Sequence, residues 1–320
     1  MYNSTNPDVS IVTVSWNVKD MLLECIKSIY EKTKNYSFEM IIVDNDSRDG
    51  TMDAVAEKYP EIKLIRNNFN GGIAVANNQG INASKGRFVC LLNPDTYLIN
   101  NAIDILIKYL EDNSTVSAVG PKSNNPGEVI ETNFYDRFPS LWTMFKDMST
   151  LSARFPNSRI FGKYYFGNWN FDSERHVVHL ATACMVLRRE VIDNVGIMDE
   201  QFFMYSDDLD FCYRITKSGR KIMYFPDAEI FHHKGASSKQ NHEIPLHVRQ
   251  SFYKYFVKHY GVVYASCYKG LVGFIGLSFI MLYGLQLMTA NKKRRLMIRQ
   301  EIIPKLKEMV RWASEFSFVH

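Results

Sequence analysis

The chain has 320 residues, 46% apolar and 22% charged, with 17 Gly and 10 Pro. That composition excludes disorder, collagen-like repeats and low-complexity scaffolds, and a mean hydropathy of −0.21 excludes a polytopic membrane protein. The net charge of +4 is uneven: residues 241–320 hold 12 Lys and Arg against 4 Glu, leaving 26 basic and 30 acidic residues in 1–240. A mildly acidic body with a basic tail argues against a nucleic-acid partner and for a tail that meets an anionic surface.

The length allows two domains, or one large α/β domain with an extension. The five cysteines, 25, 90, 184, 212 and 267, are scattered and odd in number, with no C-x-x-C pair. They predict a reducing compartment, no disulfide framework and no structural zinc. The polar first ten residues lack an apolar signal core, so the start of the chain is expected in the cytosol.

Strand and helix signals alternate through the first 120 residues. Residues 10–15 (SIVTVS) read as a buried parallel strand and 19–32 as a helix. The same alternation gives strands at 40–43, 62–65 and 88–92, and helices at 51–58, 72–83 and 101–110. This rhythm predicts a mostly parallel sheet covered on both faces. Residues 121–178 predict long loops and a short helix near 141–151. Beyond them come a strand at 177–187, a helix at 190–195 ended by Gly196, a helix at 207–217 capped by Gly219, and a strand at 221–225. An aromatic, basic helix spans 246–260. Residues 270–288 carry no charge, Lys292, Lys293, Arg294 and Arg295 follow, and a final amphipathic helix ends the chain.

Asp44, Asp46 and Asp95 fall just after predicted strand ends, where open α/β sheets bind ligands. A carboxylate there can bond a base or ribose, or hold a divalent metal on two phosphates. Turn chemistry explains one such Asp better than several. No G-x-G-x-x-G follows the first strand and no G-x-x-x-x-G-K-[ST] occurs, which argues against a nicotinamide dehydrogenase and a P-loop NTPase. Asp207, Asp208 and Asp210 crowd a predicted helix start; capping explains one or two, and crowding suits a general base. Adjacent His232 and His233 point opposite ways in a strand, so at most one faces a site, where it could ligate a metal beside Asp95. Trp16, at the end of the first strand, can stack on a base or simply pack in the core.

These pieces, in order, resemble the family-two inverting glycosyltransferases of GT-A fold, especially the bacterial rhamnosyltransferase-like branch. The stretches are SIVTVSWN, IIVDNDSRDGT, the run Asn70-x-Gly72 to Gly80-Ile81, FVCLLNPDT, GIMDEQFFMYSDDLDFCYR and His232-x-x-Gly235-x-Ser237, within about residues 8–260. The resemblance implies a Rossmann-like GT-A domain over 1–245, with a nucleotide-sugar half at 1–120 and an acceptor half at 121–245, followed by a helical extension at 246–320. It implies a donor site of Ser15, Trp16, Asp44, Asp46, Asn70, Gly72, Asn77, Asn78 and Asn93, with Trp16 against the base and Asp44 bonded to it. It implies Asp95 and His232 on a divalent metal, Mg or Mn, and Asp208, beside Asp207, as the base that deprotonates the acceptor. Asn93 stands where the family has the first acid of D-x-D, and Asp207 where most relatives have Glu.

The implied reaction moves a sugar, dTDP-rhamnose being the first expectation for the donor, to a glycan or polyprenyl-diphosphate-linked acceptor in bacterial surface polysaccharide synthesis. A non-catalytic subunit that binds a partner or nucleotide sugar is the alternative. A nucleotidyltransferase would want a Gly- and basic-rich loop after the first strand, which residues 16–20 (WNVKD) are not. Residues 270–288 are just long enough to span a bilayer, but a single crossing would place Lys292–Arg295 outside. Lys254, Lys258 and Lys269 on the near side pull the other way, so the charge rule alone does not decide. A membrane surface contact through 262–311, at the cytosolic face of the inner membrane and without a full crossing, is expected because it keeps both basic flanks on the anionic face, with a full crossing and a soluble homodimer interface as the alternatives.

Overall fold

A computed structural model of the chain describes residues 6–124, 134–135, 137–155, 158, 160–161, 169, 171–233 and 244–315. The chain divides into two units, Met1–Phe138 with Trp169–His247, and Pro139–Asn168 with Val248–His320. The segment that leaves the first unit lies within the irregular stretch of the sequence.

The first unit is built on one sheet whose order, among the described residues, is β3-β2-β1-β4-β10-β6-β11-β5, with β8 also on β11. β1 (Val9–Ser15), β2 (Phe38–Asn45), β3 (Lys63–Asn67) and β4 (Phe88–Leu92) pair in parallel. Each is followed by a helix or loop that returns the chain, as the alternating pattern predicts. Beyond β4 the sheet becomes mixed. β10 (Cys184–Arg188) runs antiparallel to β4 and to β6 (Val116–Ser123), and β11 (Lys221–His232) pairs parallel with β6 and antiparallel with β5 (Thr96–Leu98) and β8 (Arg175–Val177).

Helices cover both faces because β1 is buried on both. Val9 and Ile11 join one core with Leu22, Ile26 and Ile29 of α1 (Lys19–Lys32) and Ile103, Leu106 and Ile107 of α4 (Ala102–Asp112). Val12 faces the other way, toward α3 (Ile73–Ala83), where a Cβ on Gly80 would lie 2.2 Å from its Cγ1. The remaining helices of this unit are α2 (Thr51–Lys58), α7 (Arg189–Val195) and α8 (Asp207–Lys217).

Three elements differ from the sequence reading. The predicted strand at 177–187 is divided into β8, β9 (His179–Leu180) and β10, because β9 leaves the main sheet to pair with β7 (Phe134–Tyr135). The strand at 221–225 continues to His232, carried past Pro226 by a register irregularity between Phe225 and Glu229. The short helix breaks into α5 (Leu141–Met148) and α6 (Leu151–Arg154) at Thr150, which has φ 62°.

The second unit contains α5, α6, most of α9 (Ile244–Tyr260), α10 (Val262–Thr289), α11 (Lys292–Met297), a π-helical turn at Ile298–Ile302, and α12 (Ile303–Ser314). Its centre is aromatic: Phe256 and Tyr268 meet at 5.1 Å between ring centroids, and Tyr268 and Trp312 at 6.2 Å. Gly273 and Gly276 let α12 approach α10; a Cβ there would lie 3.2 Å from Ala313 Cβ and 2.8 Å from Val310 Cγ2. Among the described residues, α10 is long and apolar enough to cross a membrane by length and composition.

Gly80 marks a close approach of α3 to the sheet. Gly80→Val should overfill that space and lower unfolding stability by about 2 kcal/mol in urea melts; an unchanged midpoint would show that α3 shifts freely on β1.

Candidate active site

Strand order reverses between β1 and β4, so the loops leaving their carboxyl ends part and open a crevice. A cleft of about 230 Å³ lies there. Trp16 just after β1, Asn45 from β2, the Asn70–Ile73 turn with Asn77 of α3, Asn93–Asp95 after β4, Thr182, Met204–Tyr205 and His232 line it.

One wall is the turn into α3. Gly72 has φ 87°, and a Cβ there would lie 2.4 Å from the Phe203 carbonyl oxygen, so this position requires glycine. Ile73 N donates to that carbonyl at 2.9 Å, Asn45 Nδ2 donates to Gly72 O at 3.1 Å, and Gly72 N donates to Asn70 Oδ1 at 3.0 Å. Asn78 does not line the cleft. Its amide donates to Met198 O and to Glu200 Oε1, both at 2.9 Å, and its Oδ1 accepts from Met198 N at 2.9 Å, which holds the 198–200 loop against α3.

Ser15 and Asp44 are register partners at the ends of β1 and β2. Both are buried, and neither lines the cleft. Asp44 Oδ2 accepts from Ser47 N at 2.9 Å, while Asp44 Oδ1 and Ser15 Oγ have no hydrogen-bond partner among the described residues. Buried polar atoms are rarely left unpaired, so these two are candidates for a ligand's donor and acceptor. Asp46 lies apart: it has φ 66° and pairs with Arg48 at 3.4 Å on the surface.

The opposite wall holds Asn93, Asp95 and His232. The β5–β11 ladder sets Thr96 opposite His232, which brings the imidazole Nε2 to 3.2 Å from Asp95 Oδ1 and 3.3 Å from Asn93 Nδ2. His233 turns to the other face, its ring 4.6 Å from Phe231 and 5.8 Å from Tyr97. Gly235 and Ser237 of the same sequence motif lie outside the described residues. Among the described residues no three His, Cys, Asp or Glu side chains converge on one point. A carboxylate and an imidazole are nevertheless donors that Mg or Mn accepts, and cations on nucleotide diphosphates take most of their shell from phosphate oxygens and water. Asp95 and His232 fit such an ion.

The acidic cluster opens α8, just after Tyr205 and Ser206, consecutive non-glycine residues in the left-handed region at φ 67° and 63°. Asp207 is buried, its Oδ2 lacks a partner, and burial, then the Asp208 charge, push its carboxyl up to about 8. Asp208 Oδ1 accepts from Leu209 N at 2.7 Å, and its Oδ2 lies 3.3 Å from His179 Nε2. Asp210 is structural: it pairs with Arg214 Nε at 2.9 Å, and Arg214 ties down the carbonyls of Val195, Gly196 and Ile197.

Sequence reasoning missed Asn45, Thr182, Met204 and Tyr205 in the cleft, and His179 beside Asp208. Asn45 could have been found, since it sits between two strand-end aspartates. His179 had no local signal, because β9 reaches α8 only through tertiary packing.

The sequence matches glycosyl transferase family 2 over residues 10–196. It is 29% identical over 211 residues to the N-acetylglucosaminyl-diphospho-decaprenol L-rhamnosyltransferase of Mycobacterium tuberculosis, covering 62% of this chain and 67% of that enzyme. It is 33% identical over 104 residues to the UDP-Glc:alpha-D-GlcNAc-diphosphoundecaprenol beta-1,3-glucosyltransferase WfaP of Escherichia coli, covering 32% and 41%. The fold is similar to the mannosyltransferase PcManGT from Pyrobaculum calidifontis, solved with GDP-Man and Mn2+, at a TM-score of 0.55 and 17% identity over 98% of this chain and 89% of that one. It is also similar to GalNAc-T7, solved with UDP, GalNAc and Mn2+, at a TM-score of 0.53 and 17% identity over 72% and 44%.

The folded chain keeps the Asp207 proton up to about pH 8, while the unfolded carboxyl loses it near 3.8. The unfolded state thus binds fewer protons between those values, and this group's contribution to stability falls as pH rises through them. Asp207→Asn removes that loss, so its melting temperature should gain on the wild type from pH 5 to pH 8. A pH-independent offset would mean that Asp207 is ionised in the fold.

Proposed function

The chain belongs to glycosyl transferase family 2 and is a glycosyltransferase, and on that premise we propose that it moves a sugar, with inversion, from a nucleotide diphosphate to a hydroxyl of a lipid-linked glycan. The observation that carries this reading is the meeting of Asp95 and His232 at 3.2 Å in the cleft that Trp16 and Gly72 also wall. Residues 1–120 supply most of the donor side, joined by His232, and the acceptor side lies within 121–245, of which Pro139–Asn168 belongs to the second unit. The nucleotide base lies along Trp16, with Asp44 Oδ1 and Ser15 Oγ as its polar partners. A divalent cation on Asp95 and His232 would offset the charge of the diphosphate. Asn93 replaces a carboxylate with an amide, which adds a donor to that wall and removes a negative charge.

Asp208 takes the acceptor hydroxyl proton as the new C–O bond forms at the anomeric carbon. The bond to the diphosphate oxygen breaks on the opposite face, and its electron pair leaves with the nucleotide. His179 Nε2 lies 3.3 Å from the far oxygen of Asp208, near enough to bias the orientation of that carboxylate. Neutral Asp207 beside it keeps a second negative charge from accumulating at the base.

The mycobacterial relative's name specifies a decaprenol-diphosphate acceptor and rhamnose transfer, which supports rhamnose as the sugar and a polyprenyl-diphosphate-linked acceptor here, with dTDP as the carrier that the sequence resemblance implies. The name of the Escherichia coli relative supports the acceptor class with a different sugar. Such acceptors sit in membranes, and α10 supports membrane association of this chain, at the cytosolic face where nucleotide sugars are made.

Asp208→Asn should lower transfer by about 10²–10⁴-fold with donor affinity unchanged in calorimetry; near-normal turnover would move the base elsewhere. Asp95→Ala should abolish manganese-dependent donor binding, and retention of that dependence would remove Asp95 from the cation. His179→Ala should lower kcat by about 100-fold with donor KM within about twofold, and His179→Gln should restore part of it. A rise in KM with kcat unchanged would sink the positioning role.

A further inference from the structure

The largest feature that this chemistry leaves unused is the bare face of α10. Its first half is committed to protein. Ala265, Tyr268, Lys269, Val272, Ile275 and Gly276 are buried, a helical stripe turned toward the rest of the second unit. Lys269 Nζ donates to Glu315 O at 2.5 Å and lies 5.0 Å from the Trp312 ring centre. The close approaches run from Gly273 at Ala313 to Gly276 at Val310, so α12 returns antiparallel along this half.

The other face is apolar and open. Phe274, Leu277, Met281, Leu285 and Met288 follow at steps of three and four residues and are 64, 57, 71, 60 and 75% exposed. This stripe continues at its N-terminal end into a groove of about 500 Å³ between α10 and α5, lined by Leu141, Trp142, Phe145, Cys267, Leu271 and Phe274, with Gly270 in its floor. At the far end of α10 stand Lys292, Lys293, Arg294 and Arg295, all exposed.

The packing of α12 on α10 favours lying on a membrane over crossing one. α12 starts at Ile303 and runs antiparallel to α10, with Leu306 O, Met309 and Val310 all within 4 Å of a Cβ on Gly276, so α10 does not stand alone as a single apolar span. A bilayer's hydrocarbon is about 30 Å thick. Drawing α10 through it would carry α12 along, with Lys305, Lys307 and Arg311 exposed on its surface. The four basic residues at the tip favour anionic headgroups over passage through the hydrocarbon.

We propose that α10 lies in the plane of an anionic membrane surface, with the Phe274–Met288 stripe and the Trp142 groove in one leaflet and Lys292–Arg295 among the headgroups of that same leaflet. The proposal rests on the membrane association argued above and adds the face, the depth and the side of the basic tip. A lipid surface is the occupant that suits both halves of the feature, because a stripe of flexible apolar side chains needs hydrocarbon and the adjoining cations need anions.

The test uses the full chain and preformed vesicles of phosphatidylcholine with 30% phosphatidylglycerol. The protein should float with them, and at least tenfold less with phosphatidylcholine alone. Met281→Glu and Leu285→Glu, both at exposed positions, should lose flotation while keeping the wild-type melting temperature. In bound wild-type protein, trypsin added outside should still cut at 292–295. A fluorophore on Cys267, the one exposed cysteine among the described residues, should be quenched by lipids brominated near the headgroup and not by those brominated at the chain ends. Flotation with the tip protected from trypsin would mean a crossing and would overturn the in-plane geometry while leaving membrane association intact. Flotation indifferent to both Glu substitutions would overturn the assigned face. Failure to float with any vesicle would remove membrane association itself, and a dimer broken by Met281→Glu would name a second copy as the occupant.

Discussion

The site depends on a three-residue ladder. β5 has only Thr96–Leu98, and it pairs with Ile230–His232 at the end of the longest strand. Leu98 and Ile230 are buried at 3% and 1% exposure, and Tyr97 and Phe231 stack at 4.8 Å, so both faces of this short ladder are anchored. Because strand side chains alternate, anchoring Phe231 outward turns His232 inward to Asp95. Two residues 137 positions apart are thereby held within 3.2 Å. A slip of one residue would turn His232 to the other face and take the imidazole away from Asp95.

The surrounding fold concentrates its irregularities at the same end of the sheet. Asn17, Asp46, Tyr205 and Ser206 are four of the six non-glycine residues with positive φ among those described, and all lie in loops that leave strand ends or lead into α8. Ser15, Asp44 and Asp207 contribute buried polar atoms without partners. Each costs stability, and local rules of capping and hydrogen bonding would avoid them. The hydrocarbon core behind β1, with Ile11, Leu22 and Ile26 fully buried, supplies the burial that offsets them.

The second unit follows a different logic. Its interior is aromatic and holds a buried lysine over two rings, while its largest apolar stripe faces outward. A soluble helix normally buries such a stripe. Here the glycine face of α10 takes the protein contact and the bulky face is left open, because only the glycines let α12 come close.

By itself the sequence determined what depends on short-range periodicity. The alternation of β-branched runs with helical spacing made the parallel half of the sheet legible to within a few residues. The strand-end aspartates, the Asn70–Gly72 turn and the 207–210 cluster stood out because those residue types suit particular backbone conformations wherever they occur. The uncharged 270–288 stretch and its basic flank were legible for the same reason. Tertiary structure alone decided what depends on partners distant in the chain. It separated β9 from β10, carried β11 through Pro226 to His232, joined His179 to Asp208, gave Asp210 to Arg214, and turned Asn78 from the cleft to the 198–200 loop. It also chose which face of α10 meets protein. In each case two side chains with no local preference for one another were brought together by strand register or by close helix packing, and neither is written in the spacing of nearby residues.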